Sequence, residues 1–154
     1  MFARTLKPIL LGGLVAASID IPVACLLNHR SVPFILQSIA GGLLAQRAYA
    51  GGAATALLGL LLQELMGIII AAIYVLAARR WNDLRLGWVT WGVIYGAVIF
   101  VVMNYVVLPL SAWRAMPRFS LLSFAGNLAA MFLFGLIISF CASRFGQPAL
   151  RAQG

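Results

Sequence analysis

The stretch 53–78, AATALLGLLLQELMGIIIAAIYVLAA, carries a single ionisable side chain, Glu64, in 26 residues. An α-helix rises about 1.5 Å per residue, so about 20 residues cross a hydrocarbon core of about 30 Å. The run is long enough to span a bilayer with some tilt. A carboxylate half-way across lipid costs roughly 2.5–3.5 kcal/mol on insertion scales. Glu64 must therefore face protein or water, or be held neutral.

The rest of the chain supports the same class. Of its 154 residues 64% are hydrophobic and 9% charged, against about 45–50% and about 25% in soluble domains. A water-soluble fold of this length has no way to hide that much apolar surface. The sequence predicts an all-α integral membrane bundle in a single domain. The net charge of +8 raises nucleic-acid binding as a function class. The arginines, however, stand singly or in pairs at the ends of apolar runs, the placement of membrane anchors that reach to lipid headgroups. The reading is of a lipid bilayer as partner and no nucleic acid.

Four spans are expected, at about 8–27, 53–78, 87–110 and 121–143. The first follows Arg4 and Lys7 and resembles the basic and apolar regions of a signal peptide. Its length and its Asp20 and Pro22 favour an uncleaved span, and Pro22 predicts a kink because it cannot donate to the Ser18 carbonyl. Asn28-His29-Arg30 is a polar break, with His29 read as a solvated loop residue. The segment 31–46, SVPFILQSIAGGLLAQ, is apolar but short, roughly 24 Å as a helix. Ser31 is placed as its N-cap, with Pro33 in the first turn. It is read as a thin fifth span, a re-entrant helix or an interfacial helix. Trp88, Trp91 and Trp113 bracket the third span, as aromatic belts do.

Charge counting separates these choices. With four spans, one side holds Arg4, Lys7, Arg79, Arg80, Arg85, Arg144 and Arg151, and the other Arg30, Arg47, Arg114 and Arg118. If 31–46 crosses, the split becomes five against six. The positive-inside rule favours four spans with both termini cytoplasmic. The tail after Arg144, with Pro148, has little reason to fold alone.

No motif in the chain carries recognisable catalytic chemistry, so no catalytic residue and no cofactor are assigned and the protein is expected not to be an enzyme. A membrane-embedded lipid enzyme would need a nucleophile or metal set that is not found. Cys25 and Cys141 make no redox or metal spacing. They are expected at opposite membrane faces, too far apart for a disulfide.

Two constellations remain. Gly92-Val-Ile-Tyr-Gly96 is a GxxxG, and small residues also recur four apart at Gly12/Ala16, Gly13/Ala17, Gly67/Ala71, Ala125/Ala129 and Gly126/Ala130. Such spacing lets helix backbones approach closely, within the bundle, in a homo-oligomer or against a larger membrane complex. The second constellation is polar. Counted from the non-cytoplasmic end, Asp20 lies roughly 10 Å deep, Asn104 and Asn127 roughly 9 Å, and Glu64 roughly 16 Å. Asp20, Glu64, Asn104 and Asn127, from four spans, thus fall in one half of the bilayer, where Ser18, Thr55, Gln63 and Ser123 can join them. One reading is a water-accessible pocket or proton relay that takes a small solute, a proton or a lipid headgroup, as in a proton-coupled transporter or channel subunit. The other is a polar zipper that ties the helices together. With no Lys or Arg inside the spans, the acids require protonation, a bound cation, or a basic residue reaching down such as Arg30 or Arg47.

Through Gly12, Gly13 and Asp20, then Gly51-Gly52, and finally Tyr95-Gly96 with Met103-Asn-Tyr-Val-Val-Leu-Pro109-Leu-Ser111, the chain resembles a group of small uncharacterised bacterial four-span inner-membrane proteins of YagU-like type. The resemblance covers most of the chain. It implies four spans and a bacterial inner (plasma) membrane location, and brings no established activity or ligand. Members of the group often carry a histidine where this chain has Gln63-Glu64, a departure that bears on any shared protonation role at this depth.

Overall fold

The computed structural model describes residues 2–118 and 120–146, with side chains from residue 5 onward. The Arg4 side chain and the tail with Pro148 and Arg151, used above in the charge count, lie outside these residues. Among the described residues the elements are all helical: α1 (Phe2–Asn28), α2 (Val32–Leu44), α3 (Gly52–Arg80), α4 (Asp83–Leu86), α5 (Trp88–Leu110) and α6 (Leu121–Phe145). A 3₁₀ turn, Ala45–Ala50, joins α2 to α3. Four helices, α1 from Thr5, α3, α5 and α6, are long and apolar enough to cross a membrane.

The surface pattern of α3 shows which solvent the fold is built for. Leu57, Leu61, Leu65, Ile69 and Ile73 follow one another at four-residue spacing and are 49–60% exposed. The buried positions of the same helix are Gly59, Gly67, Ala71, Tyr74, Val75 and Ala78. Large aliphatic side chains outside and mostly small residues inside reverse the pattern of a soluble helix. Such a surface belongs in lipid, where packing rather than apolar burial drives helix association.

Small residues set the helix order. The adjacent glycines of α1 point at different neighbours. A Cβ on Gly13 would stand 2.7 Å from the Gly67 carbonyl oxygen of α3, and one on Gly12 would stand 3.2 Å from the Cys141 Cβ of α6. Successive residues on a helix are about 100° apart, so a double glycine serves two interfaces at once. Gly92 and Gly96 of α5 face α6, where a Cβ on Gly135 would stand 2.7 Å from the Gly96 nitrogen. The GxxxG thus lies in an intrachain interface. All these pairs are antiparallel. The helices run α3, α1, α6, α5 around the bundle, with Ile138 and Ser139 of α6 and Val75 of α3 fully buried at its centre.

The fourth side, between α3 and α5, is closed at only one end. There Tyr95 donates its hydroxyl to the Ile70 carbonyl (2.7 Å) and its ring lies 4.9 Å from that of Tyr74, which donates to the Leu84 carbonyl (2.9 Å). This proximal end also holds the start of α1 and the end of α3, joined by a bond from the Arg79 guanidinium to the Thr5 hydroxyl (2.5 Å).

The opposite, distal end is where α2 sits. Because α1 and α3 are antiparallel, Asn28 and Gly52 lie at the same end, and α2 leaves from it and returns to it. With 13 residues it is roughly 20 Å long, and it does not cross. Leu36 packs its backbone on Gly59, about 10 Å along α3 from Gly52. The Gln37 amide donates to the Gly52 carbonyl (3.0 Å), and the Thr55 hydroxyl to the Ala48 carbonyl (2.6 Å). Ser31 occupies the N-cap position, but its side chain makes no capping bond.

Both helices that carry proline in their interior stay helical through it. In α1, Pro8 and Pro22 are accommodated without a break. In α5, the turn Met103–Val107 widens to a π-helix before Pro109, and Leu108 donates to the Met103 carbonyl five residues back. Proline lacks the donor and its ring crowds the carbonyl four residues earlier, so an extra residue in the preceding turn accommodates it.

Candidate functional site

The four polar residues singled out in the spans are placed in two different ways. Asp20 and Glu64 join α1 to α3: the Gln63 amide donates to Asp20 Oδ2 (2.9 Å), and the Ser18 hydroxyl donates to Glu64 Oε1 (2.9 Å). The two bonds are crossed pairs of near neighbours, as the antiparallel register of the two helices requires. Glu64 Oε2 is buried with no hydrogen-bond partner. Asp20 also borders a narrow crevice against Ala130, Leu133, Phe134 and Ile137 of α6, with no room for water.

Asn104 and Asn127 instead bond back along their own helices. The Asn104 amide donates to the Phe100 carbonyl (2.9 Å), at the start of the π turn, and the Asn127 amide to the Ser123 carbonyl (2.7 Å). Of the residues expected to join the cluster, Gln63 and Ser18 bond the acids and Ser123 bonds Asn127. Thr55 lies at the 3₁₀ turn instead. Cys25 and Cys141 are free thiols, and among the described residues no three His, Cys, Asp or Glu side chains gather closely enough to hold a metal.

The larger feature lies where α3 and α5 part. A cleft of about 770 Å³ opens between them in the distal half, covered by α2. Its walls are Leu62, Gln63 and Met66 of α3 and Met103, Val106 and Val107 of the π turn. The rim is made by Ser38 and Gly42 of α2 with Ser111 and Trp113. Along α5 the lining of the cleft runs from Leu110 to Met103, roughly 10 Å of helix. Its lining is apolar except at the rim and at Gln63, whose amide also holds Asp20.

Trp113 builds the rim. Its ring packs against Gly41, where any Cβ would collide with the indole, and its Nε1–H donates to the Ser38 carbonyl (3.1 Å). The Ala112 amide donates to the Gly42 carbonyl (2.8 Å). Two glycines in α2 are thus explained: Gly41 seats the indole, and Gly42 opens onto the cleft, with only the Ser111 Cβ near it at 4.0 Å. A ladder of rings extends outward from this point. Trp113 lies 6.0 Å from Tyr49, Tyr49 stacks on Phe34 at 5.0 Å, and the Arg30 guanidinium sits 4.7 Å over Phe34.

No family model, curated protein or solved structure matches this chain. The chemistry of the site is therefore read from its own residues. Sequence reasoning placed Trp113 in an aromatic belt and missed its role as the clamp on α2. The double glycine at 41–42 was visible, but its partner ring lies about seventy residues away along the chain. The cleft itself has no sequence signal beyond Pro109, which disturbs the helix forming one of its walls.

Proposed function

We propose that this is a non-enzymatic multi-pass membrane protein that holds an amphipathic molecule drawn from the bilayer in the cleft between α3 and α5. The size and lining of that cleft carry the reading. A volume of about 770 Å³ falls within the range of about 300–1,000 Å³ found for ligand pockets. Its α5 wall, roughly 10 Å from Leu110 to Met103, fits within the stretch covered by one leaflet's acyl chains in a core of about 30 Å. An apolar body with polar groups at the rim suits a molecule with an apolar tail and a polar head. The resemblance to YagU-like inner-membrane proteins supports a bacterial inner membrane as the setting, and the seven-to-four split of basic residues supports cytoplasmic termini.

Gly42 supplies the test, because its Cβ direction is open toward the cleft. Native mass spectrometry of the purified protein is expected to show about one retained lipid per chain. Gly42→Phe should fill the space and remove most of the retained lipid while the helical circular dichroism is unchanged. Equal retention by a folded Gly42→Phe protein, or none by the wild type, overturns the reading.

One observation favours a second reading, a proton-coupled small transporter. Gln63 lines the cleft and donates to Asp20, which puts an intramembrane acid one hydrogen bond from the ligand space. That reading requires a pH-driven flux in proteoliposomes that Asp20→Asn abolishes.

A further inference from the structure

The cleft accounts for an apolar tail, and the groups around its mouth bear on the head. The distal end of the described chain carries Arg30, Arg47, Arg114 and Arg118. The chain has only three acidic residues. Asp20 and Glu64 lie within spans and bond Gln63 and Ser18, and Asp83 is in α4 at the proximal end. The distal face is therefore cationic with no carboxylate to compensate it.

Three of these arginines are tied to the rim. Arg114 follows Trp113 directly and is exposed, on a left-handed backbone (φ 46°) that few side chains adopt. Arg47 is exposed on the 3₁₀ turn that carries Tyr49, and Tyr49 contacts the Trp113 ring. Arg30 is held over Phe34, which stacks on the same Tyr49. The aromatic ladder thus joins three guanidinium-bearing segments to the mouth of one apolar cleft. Guanidinium groups pair with phosphate oxygens through two parallel hydrogen bonds.

We infer that the occupant is a single anionic phospholipid, with an acyl chain between α3 and α5 and its anionic headgroup drawn to the distal face that carries Arg30, Arg47 and Arg114. This rests on the cleft reading above and adds the headgroup class to it. Neutral and anionic phospholipids have the same tails, so the arginines decide between them. The cleft decides whether any lipid is held.

The two parts separate by electron spin resonance of the full chain in phosphatidylcholine vesicles containing a trace of spin-labelled phosphatidylglycerol or spin-labelled phosphatidylcholine. A basic residue near a membrane surface contributes an interaction equivalent to about fivefold in affinity. The wild type is expected to immobilise the phosphatidylglycerol label at least about fivefold more strongly than the phosphatidylcholine label, and raised salt should shrink that ratio. Arg30→Gln, Arg47→Gln and Arg114→Gln together should bring the ratio close to one while the phosphatidylcholine label is still immobilised. The corresponding lysine substitutions should keep most of the preference. Gly42→Phe should reduce the immobilised fraction of both labels. An equal ratio in the wild type, or a ratio unchanged in the glutamine variant, overturns the headgroup assignment and leaves the cleft standing. Loss of the preference in the glutamine variant with no effect of Gly42→Phe keeps the arginine site and overturns the cleft as its tail pocket. If a second copy of the chain covers the cleft, neither label is immobilised there, and both assignments fall.

Discussion

Gln63 and Glu64 are neighbours in sequence, yet the bundle uses them differently. Glu64 accepts one bond from Ser18 through Oε1, and a glutamine there keeps both that acceptor and the side-chain shape. Gln63 supplies the donor to Asp20, and nothing of similar shape without an amide can replace it. Leaving a half-buried carboxylate without its donor costs about 1–3 kcal/mol, whereas polar contacts between membrane helices average about 0.6 kcal/mol. Thermal unfolding in detergent should therefore show Gln63→Leu less stable than the wild type by about 1–3 kcal/mol and Glu64→Gln by less than about 1 kcal/mol. The reverse order would mean that the Ser18–Glu64 bond, not the Asp20–Gln63 bond, is the main polar tie between α1 and α3. The existence of an intramembrane acid was legible in the run 53–78. Its partner was not, because pairing requires the register of α1 against α3, and Gly13 against Gly67 sets that register.

Among the elements, α2 depends most on contacts far away in the chain. It has no side-chain cap, and at about 20 Å it is too short to cross the core. What holds it is the seat of Leu36 on Gly59 and the clamp of Trp113 over Gly41. Removing a large aromatic side chain from a packed site costs about 3 kcal/mol or more, while losing one hydrogen bond costs about 1 kcal/mol. Trp113→Ala should destabilise the protein by about 3 kcal/mol and raise amide hydrogen exchange over 32–44. Trp113→Phe should keep most of the ring contact, cost about 1 kcal/mol and leave exchange near that of the wild type. Similar exchange in both variants would show that α2 is held by α3 alone. The segment was recognisable as a short apolar helix, but a fifth span, a re-entrant helix and an interfacial helix have nearly the same composition. Only the positions of Asn28 and Gly52 at one end exclude the fifth span.

The architecture as a bundle makes a topological prediction. Asn28, the loop after α5 and the turn before α3 share the distal end, and the α3–α4–α5 connection lies at the other. In a background with Cys25 and Cys141 replaced by alanine, single cysteines at His29, Gln46 and Met116 should react with an impermeant thiol reagent from one side of sealed vesicles. A cysteine at Asn82 should react from the opposite side. Labelling of positions 29 and 46 from opposite sides would mean that 31–46 crosses, and the cleft would lose its cover.

The four membrane-length helices could be read directly from the chain, because apolar length and the charges that bound it are sums over neighbouring residues and do not depend on what packs where. The small-residue pairs showed that helices would approach closely, and their spacing alone left the partner open: Gly92 and Gly96 meet Gly135 of the same chain, while a second chain would satisfy the same spacing. The cleft arises from the assembled bundle. It exists because α3 and α5 touch at Tyr74 and Tyr95 and then part, and because Trp113 closes α2 over the gap, contacts between residues too distant in the chain for any local pattern to record.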